Sequence, residues 1–130
     1  MTHHLPPTPA ILLDHKKNRI RIHKQTLHLL GDPQYVILMV NPKARMLAVC
    51  KSKKEDHLAQ RIDWVKLSDR NCCEIYSLGL LHALQSISPQ MSPRKSYRIP
   101  GAILPQGGIA QFRINDSVDV SKLSAGYLEV

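Results

Sequence analysis

The sequence has no long apolar run. No stretch approaches the roughly 20 consecutive apolar residues that a membrane-spanning helix needs. The amino-terminal segment has no basic start followed by an apolar core, and Pro6, Pro7 and Pro9 interrupt it. It therefore lacks the pattern of a secretory signal. We expect a cytoplasmic protein that does not interact with membranes.

Cysteine is scarce, and its placement suits neither cross-linking nor zinc. The three cysteines are Cys50, Cys72 and Cys73, and no two of them have the Cys-x-x-Cys spacing. An odd number argues against a disulfide framework, and the spacing argues against a zinc site. The sequence therefore predicts reduced thiols.

Signatures of catalysis and of cofactor binding are also missing. No two of the seven histidines are four residues apart, as they are in helical zinc sites, and no glycine-rich phosphate loop occurs. We therefore expect no metal, no cofactor and no catalytic residue, and a protein that is not an enzyme. An enzyme that pairs Cys73 with a histidine stays as an alternative, which rapid thiol alkylation at neutral pH would indicate.

Acidic residues are few relative to basic ones. Lys and Arg number 18 against 10 Asp and Glu, which gives a formal net charge of +8. Such an excess favours an anionic partner, with nucleic acid first and an acidic protein or membrane surface second. A basic surface that serves only solubility is the competing interpretation.

Apolar residues alternate with polar ones in the first third of the chain. "AILL" predicts a strand, Asp14 to Asn18 a turn, and "RIRIH" a half-buried strand with Ile20 and Ile22 on its inner face. Asn18 suits a left-handed turn position. "KQTLHLLG" predicts a short helix that Gly31 ends, and "YVILMV" and "MLAVC" predict a hairpin. The unit is strand, turn, strand, helix and hairpin.

The same order of elements recurs after a charged connector. We predict strands at "RIDWVKL", "CEIYS" and "IAQFRI", a helix at "LGLLHALQ" that Ser77 caps, and a strand "SYRIPGAIL" interrupted at Pro100-Gly101. A shift of 54 positions places His23 on Ser77 and His28 on His82. The chain therefore divides into a mobile arm, a first unit, a connector, a divergent second unit and a tail, at 1–10, 11–52, 53–61, 62–120 and 121–130.

Positive charge is concentrated in the first unit. If Ile20 and Ile22 face the core, the two arginines of "RIRIH" face solvent beside the basic turn. Arginine can contact both phosphates and guanine edges. At the positions that the 54-residue shift places on Arg19, Arg21 and Lys24, the second unit has cysteine or apolar residues. The fold of the unit therefore does not require positive charge at these positions. The predicted DNA-binding residues are Lys16, Lys17, Arg19, Arg21, Lys24 and Arg45; a solvated strand face and another acidic partner are the alternatives.

The stretch "LLDHKKNRIRIHKQTLHLLG" resembles the opening of the AbrB/MazE/MraZ superfamily of small DNA-binding regulators. Asp14, Asn18 and Arg19 match its acidic, turn and arginine positions, and Gly31 matches the end of its helix. Two copies in one chain are most similar to the MraZ type. The resemblance implies a β-rich α+β fold, a pseudo-two-fold AbrB/MraZ-like barrel of two strand–helix–hairpin units.

The function that this resemblance implies is transcriptional regulation by a non-catalytic DNA-binding protein. A single basic unit binds weakly, so a homo-oligomer that presents several is expected. The alternative is a protein-interaction module that binds no nucleic acid, such as an antitoxin-like protein or an accessory protein of a mobile element.

Overall fold

The computed structural model describes residues 8–123 of the 130-residue chain. Strands dominate, and three α-helices and two 3₁₀ turns accompany them. The helices are α1 (Lys24–Leu29), α2 (Trp64–Leu67) and α3 (Leu78–Ile87), and the 3₁₀ turns are Ile114–Asp116 and Val120–Lys122. The strands are β1 (Ala10–Asp14), β2 (Arg19–His23), β3 (Tyr35–Asn41), β4 (Met46–Ser52), β5 (Gln60–Arg61), β6 (Cys72–Ile75), β7 (Ser96–Ile103), β8 (Ile109–Arg113) and β9 (Val118–Asp119).

The strands form one nearly closed antiparallel barrel in the order β5-β3-β4-β8-β7-β1-β2-β6, and β9 pairs with β7. The predicted β-rich α+β class is therefore confirmed. Among residues 8–123, no helix is long and apolar enough to cross a membrane.

The barrel interior is filled by aliphatic side chains around one aromatic residue. Ile20 and Ile22 are fully buried, as the alternation in β2 predicts, and Phe112 of β8 is buried with them. Each fully buried side chain of this size contributes about 1.5–3 kcal/mol relative to exposure. The same alternation turns Arg19 and Arg21 to the outer face of the sheet.

The turns use the residues that their backbone angles require. Asn18 has a φ of 53°, which confirms its prediction as a left-handed turn residue. Gly31, with a φ of 92°, ends the first helical segment as predicted, because a left-handed residue cannot continue a right-handed helix. Ser77 accepts a hydrogen bond from the backbone N–H of Leu80 and caps α3, again as predicted.

Two predicted strands differ from the structure. "RIDWVKL" is not one strand, because only Arg61 belongs to β5 and Trp64–Leu67 is helical. The Asp63 side chain accepts a hydrogen bond from the backbone N–H of Lys66, which favours a helical turn over extension.

The break predicted at Pro100-Gly101 is a change of partner within one continuous strand. Before it, β7 pairs with β1, and from Gly101 onward it pairs with β8. The Gly101 N–H still donates to the carbonyl of Pro9. The strand therefore changes its paired neighbour from β1 to β8 at Gly101, its one residue without a side chain.

The strand order has an exchange symmetry between the two halves of the chain. Exchanging β1, β2, β3 and β4 with β5, β6, β7 and β8 reproduces every neighbouring pair except β1·β2, whose counterpart would be β5·β6. The helices obey the same relation, since α1 begins at Lys24 and α3 at Leu78. The residues before them, His23 and Ser77, both cap a helix with their side chains.

The predicted arm and tail lie largely outside the described residues. Of the arm at 1–10, residues 8–10 are described, and Ala10 is the first residue of β1 rather than part of an arm. Of the tail at 121–130, only residues 121–123 are described.

Candidate nucleic-acid interface

Strands β2, β1 and β7 share an outward face. On it, Leu12 of β1 is paired with Arg21 of β2 on one side and with Arg98 of β7 on the other. Leu12 does not belong to the main core but forms a small cluster with Ala10 and Val120. The two arginines therefore lie in one row, with Cα atoms about 10 Å apart at the usual strand spacing.

Arg19 lies on the same face and is held by two carboxylates. Its Nε donates to Asp14 at 2.9 Å, and its Nη1 donates to Glu74 of β6 at 3.1 Å. Only 18% of the Arg19 side chain is exposed. Its charge is thus largely balanced within the sheet, and its guanidinium joins β2 to both neighbouring strands.

Hydrogen bonds keep both carboxylates ionised. Burial alone would raise the pKa of Asp14, but donors from Arg19, the Ser96 hydroxyl and a backbone N–H outweigh it and lower the pKa below its usual value. The hydroxyl of Tyr76 is the main cause of the lowered pKa of Glu74, and Arg19 contributes to it. The network therefore stays intact at neutral pH.

Arg21 and Arg98 form no side-chain hydrogen bond like those of Arg19, although Glu74 lies opposite Arg21 in the β2–β6 pairing and Arg21 helps to lower the pKa of Glu74. Their Nε atoms are buried and lack hydrogen-bond partners among residues 8–123. Within that range neither side chain forms an ion pair. Buried donors without partners are costly. Because these Nε atoms are not accessible, an anion bound at this row would contact the terminal guanidinium nitrogens, which are not buried in this way.

A shallow hollow of about 400 Å³ lies at the turn end of this face. Lys16 of the β1–β2 turn lines it together with Arg94, Lys95 and Ser96 from the segment that leads into β7. The carboxylate of Asp119 accepts a hydrogen bond from Lys95 at 2.9 Å, so it balances one of these cations. Two segments that are distant in sequence thus bring positive charge to one place. We name Lys16, Lys17, Arg21, Arg94 and Arg98 the cationic face.

Two of the predicted residues lie elsewhere. Lys24 follows β2 at the end opposite the basic turn, and its backbone N–H donates to the carbonyl of Asn71. Arg45 belongs to the β3–β4 turn, and its guanidinium donates to Asn115 and Ser88. Of the predicted set, the structure brings Lys16, Lys17, Arg19 and Arg21 together around one hairpin.

Arg94 and Arg98 were not predicted to belong to the site. "SYRIP" carries a local signal for Arg98, because Tyr97 and Ile99 are buried and the residue between them must face outward. The residues that lie beside Arg98 in the sheet are known only from the pairing of β7 with β1.

No protein-family model, no curated protein sequence and no solved structure matches this chain.

The histidine of the basic turn is part of the interior. His15 is buried, and its ring contacts that of Tyr97 edge to face at a centroid distance of 5.9 Å. Burial lowers its pKa, so the neutral form is favoured. Across the part of the chain that the structure describes, His, Cys, Asp and Glu form no group of three that could hold a metal ion.

Cys73 is expected to react slowly with alkylating reagents. Burial, followed by the neighbouring Cys72 and Glu74, raises the pKa of its thiol to about 11. At pH 7 the thiolate fraction is then about 10⁻⁴, so alkylation should be at least about a hundredfold slower than that of a free cysteine. Peptide-level mass spectrometry of iodoacetamide-treated protein measures the rate.

The rate should rise about tenfold per pH unit up to the pKa. A short unfolded peptide that contains one cysteine is the control. Rapid labelling of Cys73 at pH 7 would contradict this prediction and would favour the thiol enzyme.

Proposed function

We propose that the protein is a DNA-binding regulator of the AbrB/MraZ-like kind and that its cationic face contacts DNA. The observation that carries the proposal is the row of Arg21 and Arg98, which form no ion pair within residues 8–123, on the face whose turn end holds the hollow that Lys16 and Arg94 line. Two stretches that are distant in sequence, residues 16–21 and 94–98, converge there. The net charge of +8 would add a long-range attraction to nucleic acid.

The residues of this face would have different roles. The lysines of the turn, Lys16 and Lys17, are exposed and suit phosphate contacts, which position a protein without reading sequence. Arg21 and Arg98 carry the planar donor fork that can also read guanine edges. Arg19, balanced by Asp14 and Glu74, would act as a positioning residue that keeps the β2 backbone in register.

One such face is small for specific recognition. The proposal therefore includes a homo-oligomer in which two or more faces engage one duplex, since linked weak sites bind far more tightly than single ones. A non-catalytic role in the cytoplasm is part of the same proposal.

The test is the salt dependence of DNA binding. Fluorescence anisotropy with a labelled mixed-sequence duplex, at several salt concentrations, gives the slope of log affinity against log salt, which is about −0.9 per neutralised phosphate. Replacing both Arg21 and Arg98 with alanine should weaken binding by at least about tenfold and make the slope shallower by up to about 2.

A matched control removes the same charge from another surface. Arg61 and Arg70 are exposed residues outside the cationic face, and replacing both with alanine should leave the slope nearly unchanged. Equal losses in the two double variants would mean that only net charge matters. An affinity that the Arg21→Ala, Arg98→Ala protein retains in full would contradict the proposal.

A further inference from the structure

In the part of the chain that the structure describes, the barrel is open between β5 and β6, the two ends of its strand order. Within residues 8–123, β5 pairs only with β3, and β6 pairs only with β2. The strands that correspond to them under the exchange symmetry, β1 and β2, are paired at four positions. We name this opening, between Gln60–Arg61 and Cys72–Ile75, the seam.

The connections explain why the two pairs differ. A tight turn, His15 to Asn18, joins β1 to β2. Between β5 and β6 the chain instead runs through α2 and a polar loop at positions 62–71. The longer connection leaves one backbone edge of each strand without a strand partner in the described barrel. Natural sheets usually protect such edges, since they are templates for pairing with another chain.

Two hollows of opposite character lie at the seam. One has a volume of about 330 Å³ and is lined by charged residues, among them Arg61, Lys66 and Arg70. The other has a volume of about 250 Å³, and four of its lining residues are leucine or isoleucine: Leu38, Leu58, Ile75 and Leu80.

The hollows lie on opposite faces of the sheet. Consecutive residues of β5 divide between them, since Gln60 lines the apolar hollow and Arg61 the charged one. In β6, Ile75 lines the apolar hollow and Glu74 the charged one, although Cys73, on the Ile75 side of the strand, also borders the charged hollow. Successive side chains of a strand point to opposite faces. An extended segment in the seam would therefore place alternate side chains in the two hollows.

The charged hollow favours acidic side chains. Its two carboxylates have donors already, because Asp63 accepts from a backbone N–H and Glu74 accepts from Arg19 and Tyr76. The cations of this hollow are exposed, and in the described part of the chain they form no ion pair: Arg61, Lys66 and Arg70.

The apolar hollow is open to a partner. The side chain of Leu58 is 66% exposed, although it lines this hollow with the partly buried Leu38 and Leu80. Covering such a side chain contributes about 25 cal/mol for each Å² removed from water.

We propose that the seam binds an extended segment of a partner protein in which acidic and apolar residues alternate. The segment pairs with residues 73–75 at the edge of β6 that faces β5, directs its acidic side chains to Arg61, Lys66 and Arg70, and buries its apolar side chains against Leu58 and Ile75. Backbone pairing supplies part of the affinity, and the two hollows supply selectivity. Pairing of the seam with the seam of a second copy fits less well, since it would bring the cations of two charged hollows together.

The test compares two fluorescent peptides of identical composition against the full chain. In one, four glutamates alternate with four valines; in the other, the glutamates precede the valines as a block. Anisotropy should show binding of the alternating peptide that is at least about tenfold tighter than that of the block peptide. Replacing Arg61 and Arg70 with glutamate should weaken the alternating peptide by at least about tenfold.

The control variant makes the same charge change on the cationic face. Lys16→Glu with Arg94→Glu should leave the affinity for the alternating peptide within about threefold of that of the unchanged protein. Circular dichroism establishes that both double variants are folded. Because all the substituted residues are exposed, no loss of folding is expected.

Three results would overturn the proposal. The first is no binding of the alternating peptide at about 1 mM. The second is equal binding of the two peptides, which would mean attraction of charge alone. The third is a dimer by light scattering that Arg61→Glu with Arg70→Glu dissociates, which would assign the seam to a second copy.

Discussion

Replacing Gly101 with alanine is expected to lower the free energy of unfolding by about 3 kcal/mol. A Cβ atom at this position would lie 2.4 Å from the carbonyl oxygen of Gln111 and 2.5 Å from Cδ1 of Phe112. One of these is backbone in the neighbouring strand, and the other belongs to a fully buried ring. Relief of these contacts requires a shift of the Gln111 backbone or of the buried Phe112 ring. Urea denaturation followed by circular dichroism measures the change.

Gly79 provides the matched control for this substitution. It lies in α3, and a Cβ added to it would meet nothing within 4 Å. Alanine there should stabilise the protein by about 0.5 kcal/mol, because alanine loses less backbone entropy than glycine in a helix. Similar unfolding energies for the two variants would show that the close approach of β7 and β8 does not require glycine at position 101.

Replacing Asp14 with alanine is expected to cost about 2 kcal/mol. The carboxylate is 7% exposed and accepts hydrogen bonds from Arg19 Nε, the Ser96 hydroxyl and the Lys17 N–H. Its removal leaves these donors without an acceptor and Arg19 with Glu74 alone. The same denaturation measurement gives the effect.

A double-mutant cycle separates the ion pair from the other contacts. Arg19→Met keeps most of the aliphatic stem and removes the charge. If the pair contributes, Asp14→Ala should cost about 1 kcal/mol less in that background than in the unchanged protein. Equal costs in both backgrounds would assign the stability to Ser96 and the turn.

The contribution of Asp14 should also depend on pH. Its pKa in the folded protein is below the ordinary value of 3.8, so the folded state favours the ionised form. The contribution is fully present above about pH 3.8 and is lost as the pH falls through the lower folded pKa. The unfolding energies of the unchanged protein and of Asp14→Asn should therefore converge at low pH.

Local patterns in the sequence predict the strands and turns of the first unit. The alternation of "RIRIH" places Ile20 and Ile22 in the interior of the barrel. Gly31 ends the helix because its own φ is positive. These features depend on residues within one turn or one strand. The cap at Ser77 is local in the same way.

The neighbours of the arginines could not be predicted in this way. Glu74 is 55 residues from Arg19 in sequence, and Arg98 reaches the site because β7 pairs with β1 rather than only with β8. Which residues face each other across a sheet depends on the order of the strands. That order is set by many weak packing preferences, and no local pattern in one sequence reveals it. Arg19 therefore looks like a free cation in the sequence, whereas in the barrel two carboxylates hold it.

The helix at Trp64–Leu67 could not be predicted from the sequence for a different reason. Its apolar residues Trp64, Val65 and Leu67 fit a short strand as well as a helical turn. The decision depends on the Asp63 cap and on the Trp64 indole, whose N–H donates to the carbonyl of Pro33 at 2.9 Å. Short apolar runs are ambiguous when tertiary contacts decide.

The exchange symmetry has a consequence for biosynthesis. The pairs β1·β7, β2·β6 and β4·β8 each join the first half of the chain to the second. When residue 52 has left the ribosome, the first unit therefore has only its two hairpins, β1–β2 and β3–β4. The strands that join these hairpins into a barrel have not yet been synthesised. Contacts of such long sequence separation form slowly. Until β8 has emerged, the nascent chain keeps apolar strand faces in water, where they are open to chaperones or to association with neighbouring chains.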